Sequence, residues 1–196
     1  MDRKAVLRSF LEEDAAERDI TSQTLLENKY VSARIEAREE MVLSGIEECI
    51  ELFGIAGVAA LPEKKDGDKA EPYEVILRLH GRVHSILSAE RSALNLLGRM
   101  SGIATAAYAA GNLAREINDH VRVAGTRKTA PGLQYFDKKA VAAGGGLPHR
   151  FDLEEAFLIK DTHRSFLEVD EAVRKCREKF PKKIIDCEVE SVEDAL

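Results

Sequence analysis

Residues 156–190 read AFLIKDTHRSFLEVDEAVRKCREKFPKKIIDCEVE, and their pattern decides the fold class. Two short apolar runs, AFLIK and KIIDCEVE, are bounded like strands, and the segment from Leu167 to Phe180 between them has the length and charge of a surface helix. A strand, a helix and a second strand predict parallel pairing through a right-handed crossover. The same alternation holds upstream, with an apolar strand ending at Ala124 and a helix-like piece from Tyr135 to Ala143. The second half of the chain is therefore predicted to be α/β, either a barrel or a doubly wound sheet.

The first half is mixed rather than repetitive. Val6, Leu7, Phe10 and Leu11 lie at helical spacing, and ERDITS reads as a loop with capping residues. From Val31 to Arg38, apolar Val31, Ala33, Ile35 and Ala37 alternate with polar Ser32, Arg34, Glu36 and Arg38, the signature of a half-buried strand. A helix is predicted from about Gly45, ended by Gly54, because Ile46, Cys49, Ile50 and Phe53 recur at three and four residues. Lys64 to Lys69 is predicted to be a solvated loop. Tyr73–Leu79 and Val83–Leu87 read as strand around Gly81, and a long helical region begins at Ser88.

A composition of 44% hydrophobic and 33% charged residues belongs to a globular chain rather than a disordered one. No apolar run approaches the roughly 20 residues that span a bilayer, and the start MDRKAVLRSFLEED has acids where a signal peptide has its apolar stretch, so no membrane association and a cytoplasmic location are expected. Cys49, Cys176 and Cys187 lack CxxC spacing and are expected to be reduced thiols. The formal net charge of -6 gives no general attraction to nucleic acid.

Against that acidic balance, the carboxyl ends of the predicted strands carry a distinct set of charges. Thr126, Arg127 and Lys128 follow VRVAG, Lys160 follows FLI, and Asp186, Glu188 and Glu190 alternate along one face of the last strand. Any one of these reads more simply as a surface charge. The set is harder to dismiss, because open α/β folds gather their active sites at that edge. A lysine directly after four apolar residues is also expected near the core edge, where it needs an anionic partner. Gly144, Gly145 and Gly146 let backbone approach a ligand or another chain closely, and His149 and Arg150 follow. Neither GxGxxG nor GxxxxGK[ST] is present, and the histidines lack zinc-ligand spacing. A small substrate with several negative charges fits Arg127, Lys128, His149, Arg150 and Lys160.

GRVHSILSAERSALNLLGRMSGIAT, TRKTAPGLQYFDKKAVAAGGGLPHR, FLIKDTH and DCEVE stand in the order and spacing of the quinolinate phosphoribosyltransferase family, which the chain resembles over essentially all 196 residues, RDITS, IEARE and LSGIEE included. The resemblance implies an N-terminal α/β sandwich domain over residues 1–96, followed by the first part of an open α/β barrel over 97–196. It implies decarboxylating transfer of phosphoribosyl from phosphoribosyl pyrophosphate, with Mg2+, to quinolinate. It also implies a homodimer, or a higher even oligomer, with sites shared between subunits. Arg127, His149, Arg150 and Lys160 would hold the quinolinate carboxylates with the partner subunit's Arg91, while Lys128 and Glu188 would lie nearer the phosphoribosyl group. Aligning ESVED with the family pattern selects Glu188, with Glu190 as a weaker candidate on the same face.

Two departures stand out: Pro148 occupies a position commonly asparagine, and Thr162 replaces the asparagine of KDNH. The family's later barrel strands, with a further acid and a glycine-rich phosphate site, would follow Leu196. Residues 1–196 by themselves are therefore expected to bind quinolinate weakly and turn over negligibly. The alternatives are a molybdenum-associated relative, a nicotinate-specific enzyme, or a non-catalytic assembly or binding module. The paired-carboxylate cations argue against the second of these.

Overall fold

The computed structural model describes residues 2–14 and 16–192, except the side chain of Glu17. The fold is mixed α/β and divides into two compact units. The first contains the described residues up to Gly125 together with Thr129–Pro148; the second contains Thr126–Lys128 and the described residues from His149 onward.

In the first unit, α1 (Arg3–Glu13) buries Leu7 and Leu11, and Asp2 caps it by accepting from the Ala5 N–H. ERDITS is less of a loop than its polarity suggests. After a 3-10 turn at Ala16–Arg18, Asp19 starts α2 (Ile20–Leu25) by accepting from the Thr21 and Ser22 N–H groups, so a capping aspartate turns the second half of the stretch into helix. The predicted alternation holds along β1 (Tyr30–Glu36): Ile35 is buried and Ser32 and Arg34 are exposed.

After β2 (Met41–Val42) comes α3 (Ile46–Ile55), which buries Ile46, Cys49, Leu52 and Phe53. The helix runs through Gly54. It stops at Gly57, whose φ of 78 is the left-handed conformation that a helix-ending glycine supplies. Burial pushes the Cys49 thiol up to about 12, keeping it un-ionised.

β3 (Ala59–Pro62), β4 (Lys69–Ala70) and β5 (Val75–Arg82) follow. β5 lies between β1 and β3, antiparallel to both, with Val31 opposite Gly81 and Ala60 opposite Leu79. β2 and β4 pair separately. The loop predicted to be merely solvated supports a helix, because Asp66 Oδ1 accepts from the Ile46 N–H at 2.8 Å and so caps α3 from twenty residues away. Val83–Leu87 is not strand but the first turn of α4 (Val83–Ile117). Ile86, Ala89, Ala93, Leu96, Leu97 and Met100 are buried at helical spacing, and that packing overrides the β preference of Val83 and Ile86.

The most demanding interaction in this unit is ionic. Glu48 on α3 is completely buried, and both its carboxylate oxygens accept from Lys139 Nζ at 2.9 Å. Lys139 lies on α5 (Gln134–Ala143) and also contacts Glu47 Oε2 at 2.8 Å and Asp66 Oδ2 at 3.2 Å, while Arg3 Nη1 approaches Glu48 at 3.5 Å. Burial alone would lower the Lys139 pKa; the hydrogen bonds to Glu47 and Glu48 outweigh it and raise the pKa, so the ammonium form is retained. A second pair, Arg99 to Asp137 through two bonds of 2.8 Å, ties α4 to α5.

α5 ends at Gly144, where a Cβ would stand 2.2 Å from the Ala104 carbonyl oxygen. The glycine run therefore admits the backbone of α4. The run VRVA, expected to be a strand, makes only an isolated parallel bridge between Ala124 and Leu147 among the described residues.

In the second unit β6 (Phe157–Ile159) pairs in parallel with β7 (Ile185–Cys187), Leu158 opposite Asp186; the predicted connecting helix is α7 (Val169–Lys179), preceded by a short α6 (Asp161–Arg164) that the sequence pattern does not predict. β7 is shorter than KIIDCEVE: Glu188 adds one ladder bond, from its N–H to the Ile159 carbonyl at 2.8 Å, and the chain then leaves the sheet. The expected common face of Asp186, Glu188 and Glu190 thus rests on strand geometry that does not extend to Glu190. Glu193 and Asp194, the end of ESVED, lie outside the described residues.

Removing one partner from a buried ion pair leaves an uncompensated charge, which typically costs about 3–5 kcal/mol. Lys139→Met should therefore lower the free energy of urea unfolding by about that much, and Glu48→Gln in the same chain should recover part of the loss. Additive losses would show that the two side chains are not coupled.

Candidate active site

Six of the seven candidate residues fall in the second unit. Arg127 and Lys128 are exposed in the short segment after Gly125, where the Lys128 N–H donates to Thr126 Oγ1 at 3.1 Å and rounds the backbone into a turn. Arg91 is exposed on α4 and belongs to the first unit.

His149 and Arg150 differ sharply despite being neighbours. His149 has a φ of 58, uncommon for a residue with a side chain, and its Nε2 lies 2.9 Å from Asp186 Oδ2. Arg150 is buried, and its Nη1 donates to the Ala156 carbonyl at 3.1 Å just before β6 begins. The guanidinium is therefore anchored by main chain. Its five N–H groups in a rigid fork suit it to hold a position that a lysine would not.

Pro148, one of the two departures, has its carbonyl engaged by the buried Lys138 ammonium group within the first unit. The buried ammonium group needs such an acceptor, and main chain supplies it whatever the side chain at position 148.

Lys160 follows β6 but is exposed, contrary to the expectation that it sits in a desolvated niche. With three residues in β6, the chain is already turning into α6: the Lys160 N–H donates to His163 Nδ1 at 2.9 Å, and its carbonyl accepts from the His163 and Arg164 N–H groups. Glu188 is exposed directly beyond β7, and its carbonyl accepts from Arg164 Nη1 at 3.3 Å. Thr162, the other departure, lies inside α6, with its N–H on Asp161 Oδ1.

Lys160 and Glu188 consequently follow adjacent parallel strands at their carboxyl ends. Sequence reasoning missed three supporting groups: Asp186 as the partner of His149, His163 as the acceptor for Lys160, and Arg164 as the clamp on Glu188. The alternation in DCEVE marked Asp186 as exceptional, but nothing in the sequence paired it with a histidine 37 positions away.

The unit contains four cationic or imidazole side chains on three segments, one anchored buried guanidinium and an exposed acid. Such a set can hold a small polyanion and stabilise charge separation beside it. Among the described residues, no group of three or more His, Cys, Asp and Glu side chains is arranged to hold a metal ion by itself, and no helix is long and apolar enough to cross a membrane.

Comparison with known proteins places these residues in context. The family description "Quinolinate phosphoribosyl transferase, N-terminal domain" matches residues 19–101, and the corresponding C-terminal domain matches residues 103–196. A probable nicotinate-nucleotide pyrophosphorylase [carboxylating] of Archaeoglobus fulgidus is 43% identical over 88% of this chain and 67% of its own length. The protein of the same description from Methanothermobacter thermautotrophicus is 40% identical over 97% of this chain and 70% of its own length. The solved nicotinate-nucleotide pyrophosphorylase of Francisella tularensis superimposes with a TM-score of 0.84 at 34% identity, covering 98% of this chain and 68% of that one. The chain thus spans about two thirds of the length of these relatives.

If Arg150 anchors the start of β6, Arg150→Ala leaves the Ala156 carbonyl without its donor and should destabilise this unit by about 1–3 kcal/mol. Hydrogen exchange at the Phe157 and Glu188 amides, whose bonds tie β6 to β7, should accelerate correspondingly. Unchanged exchange there would mean that the guanidinium does not hold the strand.

Proposed function

The chain belongs to the quinolinate phosphoribosyltransferase family, and from that premise we propose that it transfers phosphoribosyl to quinolinate in cytoplasmic NAD biosynthesis, forming nicotinate mononucleotide, carbon dioxide and pyrophosphate. The observation that carries this reading is the gathering of Arg127, Lys128, His149, Arg150, Lys160 and Glu188 into one compact unit. They come from separate stretches of sequence, two of which meet on paired strands.

Arg127, His149, Arg150 and Lys160 hold the two carboxylates, helped by the partner subunit's Arg91 in a homodimer or higher even oligomer. Lys128 and Glu188 face the phosphoribosyl group. Holding the pyridine nitrogen against the anomeric carbon turns a bimolecular attack into a local one. The nitrogen lone pair forms the new bond as the carbon–oxygen bond to pyrophosphate breaks, and Lys128 offsets negative charge on the phosphates. The exposed carboxylate of Glu188 fits Mg2+ that arrives with phosphoribosyl pyrophosphate, since magnesium is commonly held by one or two carboxylates plus substrate phosphates. When bound, that ion neutralises the departing pyrophosphate. The alkylated ring nitrogen is then positive. Its charge stabilises the electron pair left in the ring plane on the adjacent carbon as carbon dioxide departs, and that carbon then takes up a proton from water, so no organic cofactor is required.

Two carboxylates in the substrate imply a selectivity. Nicotinate has one, and leaving a cation unpaired in the site costs on the order of 1–3 kcal/mol, roughly 5- to 160-fold in affinity. Calorimetric titration should therefore show quinolinate binding at least about fivefold tighter than nicotinate, and equal affinities would contradict the reading. In a chain continued through the later barrel strands, nicotinate mononucleotide formed in a single turnover should appear with carbon dioxide one for one.

The shared site makes a separate prediction. In a chain continued through the later barrel strands, Arg91→Ala and Lys128→Ala each abolish single-turnover product formation, but a mixture after subunit exchange regains about a quarter of the sites, because half the dimers are mixed and each carries one intact site. No recovery after verified exchange would place Arg91 outside the shared site.

A further inference from the structure

We propose that Asp186 is a positioning residue for His149: its carboxylate holds Nε2 of the imidazole and thereby presents Nδ1 to a substrate carboxylate. This inference rests on the function proposed above. The contact is direct, 2.9 Å from His149 Nε2 to Asp186 Oδ2.

Both ends of the contact are fixed by backbone. Asp186 is the central residue of β7, flanked by Ile185 and Cys187 in register with Phe157 and Ile159. His149 is held in the left-handed region at φ 58 between Pro148, whose carbonyl is engaged by Lys138, and Arg150, whose guanidinium is tied to the Ala156 carbonyl. The side chains are 29% and 40% exposed, so the bond is only partly open to water and orients the ring more firmly than a fully solvated contact would.

An imidazole has two nitrogens, and the bond made by one decides what the other offers. A carboxylate can only accept, so Nε2 must carry a proton, and Nδ1, the remaining nitrogen, donates to a substrate carboxylate in the imidazolium form, when it carries a proton as well. An aspartate in a unit whose exposed candidates include Arg127, Lys128 and Lys160 is otherwise unfavourable for a diacid substrate, because like charges repel. Its engagement with His149 directs the acid toward the ring and explains why an acid is tolerated there.

The test combines ring-nitrogen NMR with quinolinate titration of the protein and of Asp186→Asn, Asp186→Ala, His149→Ala and the Asp186→Ala/His149→Ala double variant. At alkaline pH, with the ring neutral, His149 should carry its proton on Nε2 in the wild type and lose that preference in Asp186→Ala. Asp186→Asn, whose side-chain oxygen can still accept the bond, should retain most of it. Quinolinate affinity should fall about tenfold in Asp186→Ala and less in Asp186→Asn, while Asp186→Ala should cause no further loss once His149 is absent.

An unchanged ring tautomer, or an equal loss of affinity with and without His149, would overturn the proposal. If the wild type does not bind quinolinate, the proposed function fails and takes the ligand half of this inference with it. The ring spectra then decide separately whether Asp186 positions His149.

Discussion

A carboxylate with no exposure to solvent must be matched by a cation, and in this protein Glu48 is matched by Lys139. That requirement joins α3 to α5 and draws in Arg3 from α1 and Asp66 from the loop before β4. Asp66 at the same time caps α3, so the charge cluster and the helix start stabilise one another. Once α5 is fixed, the adjacent Lys138 engages the Pro148 carbonyl, and Gly144 lets the end of the helix meet the backbone of α4. Pro148, the last residue of the first unit, is thus held by a contact inside that unit.

Local sequence showed these elements unevenly. β1 was legible because one of its faces is buried and the other solvated, so alternation survives along the strand. α5 and the strand–helix–strand order of the second unit were legible for a similar reason, since their apolar spacing matches their secondary structure. Val83–Leu87 was misread because its β-branched residues suit a strand when viewed alone; only the burial of Ile86, Ala89 and Ala93 against distant residues makes it helix. VRVA failed in the opposite sense, having strand composition but only one bridge, at Ala124. The charge of Lys64–Lys69 concealed Asp66, because a capping contact made across twenty residues leaves no local trace.

The candidate site was legible as residue types and only partly as geometry. Motif order identified Arg127, Lys128, His149, Arg150, Lys160 and Glu188, and six positions from separate stretches do fall in one unit. Their environments were not legible. Arg150 is buried and anchored on main chain, whereas Lys160, expected at a dry core edge, is exposed because β6 ends after three residues. Contacts such as Asp186 to His149 and Arg164 to Glu188 depend on the register of β6 against β7 and on the path of the intervening chain, neither of which a single sequence specifies.

Whether the second unit's cations form the quinolinate site is tested most directly by residue-resolved NMR of the protein during quinolinate titration, followed through backbone amides and the arginine, lysine and histidine side chains. Saturable shifts are expected to concentrate at Arg127, Lys128, His149, Arg150 and Lys160, with one common affinity. Saturable shifts confined instead to the open cleft of about 700 Å³ in the first unit, lined by Arg8, Arg18 and His84 among others, would contradict that assignment.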